Sequence, residues 1–199
     1  SDSTRAYHIQ QVRKHLLEAK KYPPHDRDWR PRLLIFDHGE NKRDALLSFS
    51  SWIEGGAGFS TALHVFEGEG AVAREKSNEI RKELSGFIAD RELPIFPLTV
   101  CAPEFSDALG ILIQGAGFGP ITPNTIVLNW FSRPGDSIPS INQYHYGQQL
   151  RTVFRFGFNL VVLWSGGDTW DRLKQTPVED RYIDVWWKND ATSRLMLLF

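Results

Sequence analysis

The chain has one cysteine, Cys101, and one methionine, Met196, in 199 residues. A lone cysteine cannot form an intrachain disulfide, and no C-x-x-C or Cys/His cluster offers zinc spacing, which favours a reducing compartment. The six His are scattered, without the spaced pairs of a metal site, and no cofactor is expected. Charge of one sign is also missing. Lys and Arg number 23 against 24 Asp and Glu, a net charge of −1, so no global basic surface points to nucleic acid as a partner. No stretch approaches the ~18 to 20 apolar residues of a membrane span, and the N-terminal SDSTRAYHIQQ lacks the apolar core of a signal peptide. The absence of G-x-x-x-x-G-K-[ST] excludes a standard P-loop.

What the sequence does contain is apolar and aromatic side chain. Hydrophobic residues make up 41%, with seven Trp and thirteen Phe, a composition that folds. The length sets the expectation of one α/β domain, or one plus part of another. The rest of the chain is organised around Gly115 to Trp130, GAGFGPITPNTIVLNW. Ala108, Leu109, Ile111, Leu112 and Ile113 make an apolar helical run before it, and Gly115, Gly117 and Gly119 supply backbone freedom at positive φ. Pro120 and Pro123 forbid helix, Asn124 suits a turn, and Thr125 to Trp130 reads as an interior strand of a parallel sheet.

In chain order, Ala6 to about Lys21 sets Ile9, Val12 and Leu16 at helical spacing beside Arg5, Arg13, Lys14, Lys20 and Lys21, a basic amphipathic helix. The expectation is a helix packed on its own domain. The alternative is a helix in contact with an anionic membrane surface, where each Lys or Arg contributes roughly 1 kcal/mol. Strands are predicted over residues 32–36, 60–66, 96–101, 125–130, 159–164 and 182–187. Helices are predicted over 43–54, 70–91 (Val72, Ile80, Leu84 and Phe87 inward), 105–114 and 142–156. Alternation of this kind implies an open, mostly parallel, doubly wound α/β sheet. Residues 1–22 read as a connecting helix, 23–158 as a first α/β subdomain, and 159–199 as the start of a second. The final Leu195 to Phe199 is apolar with no cap after it, so the chain reads as a piece of something longer.

Candidate sites are few. Gly68-Glu-Gly70-Ala-Val-Ala73 fits GxGxxA between a strand and a helix. It follows the second strand, though, and Glu67 and Glu69 would repel a pyrophosphate, so a plain strand-to-helix turn is expected. Asp37 and His38 follow the carboxyl end of the first strand, the edge where open α/β sheets bind ligands. A lone Asp-His pair is more often loop hydrogen bonding than catalysis. Cys101 ends an apolar strand and reads as a small buried hydrophobe. Asp184 and Trp186 share one strand face by period two, with Trp187 opposite, and read as core. No constellation amounts to a catalytic site, and the protein is expected not to be an enzyme.

Three stretches together resemble one family. HDRDWRPRLLI (residues 25–35), the stretch 115–130 with its Thr122-Pro-Asn-Thr125 core, and YIDVWW (residues 182–187) are similar, in order and spacing, to the C-terminal cytoplasmic domain of prokaryotic cation-chloride cotransporters. The similarity runs from about Tyr22 onward. Thr122 replaces the usual Lys, and Lys188-Asn-Asp-Ala191 replaces a more acidic, glycine-containing loop. The residues carrying the match are Trp29, Arg30, Pro31, Gly115, Gly117, Pro123, Asn124, Asp184, Trp186 and Trp187.

The resemblance implies a fold similar to universal stress proteins and a non-enzymatic regulatory module at the cytoplasmic face of the cell membrane. It also implies a homodimer, and a transmembrane domain that moves chloride with sodium and/or potassium, linked through the basic helix. The alternative is a nucleotide-binding sensor like the stress proteins, with ligand near Asp37, His38, Gly39, Gly166 and Gly167.

Overall fold

The computed structural model describes residues 2–23, 25–37, 40–103, 105–130 and 143–182. They divide into two compact units, Ser1–Ser165 and Gly166–Phe199. The first unit contains a five-stranded sheet in the order β3-β2-β1-β4-β5, with every neighbouring pair parallel. The strands are β1 (Arg32–Asp37), β2 (Phe59–Glu67), β3 (Ile95–Ala102), β4 (Thr125–Asn129) and β5 (Asn159–Leu163). Helices α1 (Asp2–Ala19), α2 (Glu40–Glu54), α3 (Gly70–Asp90), α4 (Phe105–Gly115) and α5 (Gln143–Arg155) precede or separate them.

Alternation along the central strands divides the core. Leu34, Phe36, Leu63, Ile126 and Leu128 pack with Leu109 and Ile113 of α4 and Val153 of α5. Leu33, Ile35, Ala62 and Val127 point the other way, against Leu46 and Leu47 of α2 and Leu84 and Ile88 of α3. Helices thus cover both faces, which is why Leu33 to Phe36 can be continuously apolar. The sheet is the doubly wound α/β arrangement that the alternation of elements implies.

Several expectations change. Gly115 is the last residue of α4, and the positive φ values fall at Gly117 (148°) and Gly119 (55°). Val72 is 77% exposed; the neighbouring Ala73, three turns before Leu84, takes the inward position. Residues 159–163 pair along β4 as the fifth strand of the same sheet, and the unit runs on to Ser165. Helix α1 forms, yet Tyr7, Ile9, Val12 and Leu17 are 48–57% exposed, so these four are not packed on the domain, while Leu16 is half-buried. In the second unit, α6 (Thr169–Gln175) is a short helix. The predicted strand 182–187 lies outside the described residues, apart from Tyr182, which is exposed.

Candidate functional site

In an open parallel sheet, ligands bind outside the strand carboxyl ends where the strand order reverses. Here β1 connects to β2 on one side while β4 lies on the other, so that point falls between β1 and β4. The ladders show where these strands part. β1 pairs with β4 from Leu33 to Ile35, whereas it stays with β2 as far as Asp37, opposite His64. β4 stays with β5 as far as Asn129, opposite Leu163.

Asp37 is completely buried. Its Oδ2 accepts Nε of Arg43, in the first turn of α2, at 2.8 Å, and lies 3.0 Å from Nδ1 of His64 on β2. A carboxylate only accepts, so Nδ1 of His64 is the donor in this contact. Arg43 Nη1 donates in turn to Glu83 of α3, and the guanidinium lies 5.6 Å from the centre of the Phe87 ring. Burial by itself would lower the Arg43 pKa, but Asp37 and Glu83 outweigh it and leave the value above the ordinary one. The guanidinium is therefore a fixed positive charge between two carboxylates.

Asn129 is also buried, and no partner is found for its Oδ1 among the described residues. Its carbonyl accepts the Tyr146 hydroxyl of α5 at 2.8 Å. Burial pushes the Tyr146 pKa up to about 12. Cys101 is half-buried, its Sγ donating to the Gly68 carbonyl at 2.8 Å. That contact ties the glycine turn after β2 to the edge strand, in keeping with a structural turn. Among the described residues, no group of three or more His, Cys, Asp or Glu could hold a metal ion.

The opposite, amino edge of the sheet brings together two of the three motif stretches. Asn124 Oδ1 accepts the Arg32 N–H at 2.9 Å, and its Nδ2 donates to the Arg30 carbonyl at 2.8 Å. Arg32 Nε donates to the Thr122 carbonyl at 2.6 Å. Pro31 offers its carbonyl to the Phe59 N–H at 3.1 Å, and Arg30 Nη1 donates to the Trp29 carbonyl at 2.8 Å. Trp29 is half exposed, and Pro123 is half-buried. Gly117 lets the 117–122 turn close, because a Cβ there would lie 3.0 Å from the Thr122 Cα.

Of the expected ligand-edge residues, Asp37 lies at the switch point, while His38 and Gly39 lie outside the described residues. Gly166 and Gly167 belong to the second unit, where Gly167 has φ 65° ahead of α6. Asp184, Trp186 and Trp187 also lie outside the described residues. Arg43, His64, Glu83 and Asn129 do not stand out in the sequence. His64 carries a signal all the same, since polar residues ending two adjacent strands can meet once the register is known.

No protein-family profile matches the chain. Among solved structures, it is similar to a protein from the universal stress protein family from Burkholderia pseudomallei. The TM-score is 0.44 at 11% sequence identity, over 70% of this chain and 98% of that one. The fold class rests on the chain's own sheet.

Proposed function

We propose that the chain is a non-enzymatic regulatory and dimerisation module of a membrane transporter, one that couples chloride to sodium and/or potassium movement. In this reading it works at the cytoplasmic face of the membrane, attached to a transmembrane domain. The observation that carries the reading is the junction of residues 30–32 with 122–124 through the Asn124 side chain and the Arg32 guanidinium. Arg30 and Asn124, two of the residues that carry the resemblance, are joined at the amino edge of the sheet, a scaffolding use suited to a module that transmits contacts. At the carboxyl edge, the Asp37 carboxylate is engaged by Arg43 and His64 of the same chain. Light scattering over a range of concentrations tests the dimer: the mass should approach about twice 22.8 kDa. A strict monomer would remove dimerisation by this chain. Chloride flux through the intact transporter, with and without the module, tests the regulatory half, and unchanged flux would remove it.

The parting of β1 from β4 beyond Ile35 and Val127 favours a second reading, a nucleotide-binding sensor. Under that reading, millimolar ATP or ADP gives calorimetric heat and a thermal shift. Neither signal would appear under the first.

A further inference from the structure

Helix α1 combines unburied apolar side chains with a local surplus of positive charge. Residues 1–22 carry five basic side chains against two acidic ones, a surplus of three. The remainder of a chain whose net charge is −1 therefore carries −4. Ile9, Val12 and Leu16 follow at three- and four-residue steps and form one stripe along the helix. Arg5 lies one turn before Ile9 on that stripe, Lys20 follows one turn after Leu16, and Arg13 flanks it. Ile9 and Val12 are more than half exposed, Leu16 is half-buried, and Arg5, Arg13, Lys14 and Lys20 are exposed.

We propose that α1 lies flat on an anionic membrane surface, with Ile9, Val12 and Leu16 entering the headgroup layer. Arg5, Arg13 and Lys20 reach back along their aliphatic stems to the lipid phosphates. At 18 residues the helix is about 27 Å long, enough to lie across several headgroups. No helix among the described residues is long and apolar enough to cross a membrane, so the contact is with the surface. A second copy of α1 fits the stripe poorly. Pairing in either direction sets Arg5 or Lys20 of one copy near Arg5 or Lys20 of the other, where like charges repel. This inference does not depend on the transporter reading, since a lipid surface can be offered to the chain by itself.

The test is co-sedimentation of the full chain with vesicles of phosphatidylcholine alone and of phosphatidylcholine with phosphatidylserine. Binding is expected only where phosphatidylserine is present and should weaken as salt rises. Each basic residue near the surface is worth about fivefold, so R13Q/K20Q should bind about 25-fold more weakly. I9S/V12S keeps the charge and should also lose binding. Both variants should keep the parent's thermal transition, because the replaced side chains are exposed. Equal sedimentation with both vesicle types, none with either at low salt, or unchanged binding by both variants would overturn the proposal. So would a dimer in solution that I9S/V12S converts to monomer, since a second copy would then occupy the stripe.

Discussion

Asn124 and Arg32 exchange hydrogen bonds across the amino edge of the sheet. The Asn124 side-chain Oδ1 takes the Arg32 N–H at 2.9 Å, while the Asn124 N–H donates to the Arg32 carbonyl at 3.0 Å. The first of these bonds is lost in Asn124→Ala, together with the bond from Nδ2 to the Arg30 carbonyl and the one Oδ1 accepts from the Thr125 hydroxyl. At about 1 kcal/mol each, the loss should be about 3 kcal/mol. The urea midpoint should fall with an unchanged slope, and an unchanged midpoint would show that the edge does not depend on this side chain.

Gly58 stands where the chain turns from α2 into β2. A Cβ added there would lie 1.8 Å from the Pro31 carbonyl oxygen, a backbone atom that cannot swing aside. Gly58→Ala must therefore displace the start of β1 or β2, and a loss of about 3 kcal/mol is expected. Gly56, two residues earlier, has φ 73°, and a Cβ added there would meet nothing within 4 Å. Gly56→Ala should cost only the left-handed backbone term, about 1 kcal/mol. Thermal melts of the two variants side by side check the order, and equal losses would contradict the steric account.

Asp37 and Arg43 are both almost fully buried, at 0% and 3% exposure. Removing one member of such a pair leaves the other charged and unmatched, which costs about 3–5 kcal/mol. Arg43→Ala and Asp37→Ala should each reach that range by chemical denaturation, and the double variant should lose much less than their sum. Glu83→Ala should cost far less, because its side chain is half exposed and screened by water. Additive losses for Asp37 and Arg43 would show that the two do not act as a pair.

The layers of the fold were legible because they follow from pattern. A run such as Leu33 to Phe36 has to be covered on both faces, and the glycine-proline turn before Thr125 can only end a helix and open a strand. Less legible was anything set by helix phase or by contacts between distant residues. Val72 is larger and more apolar than Ala73, yet the phase fixed by Leu84 and Ile88 turns Ala73 inward and leaves Val72 in water. At the carboxyl edge, Asp37 could be placed by its position after an apolar strand. Its partners could not, since Arg43 reaches it from the following helix and His64 through the strand register. Residues 159–163 read as the start of a second subdomain. Only pairing with β4 shows that they complete the existing sheet.

Tyr146 makes the most direct pH prediction. Its ordinary pKa is 10.0, and burial raises it to about 12 in the folded protein, where the hydroxyl also donates to the Asn129 carbonyl. The folded state therefore holds this proton more tightly than the unfolded chain. Its contribution to stability is complete below pH 10, and declines as the pH rises through the folded value near 12. Denaturant midpoints measured across that window should fall for the parent protein. Tyr146→Phe should start lower at neutral pH, by about 1 kcal/mol for the lost hydrogen bond, and fall less steeply between pH 10 and pH 12. If the two proteins lose stability in parallel over that range, the alkaline loss comes from other groups and Tyr146 is not held in its neutral form by the fold.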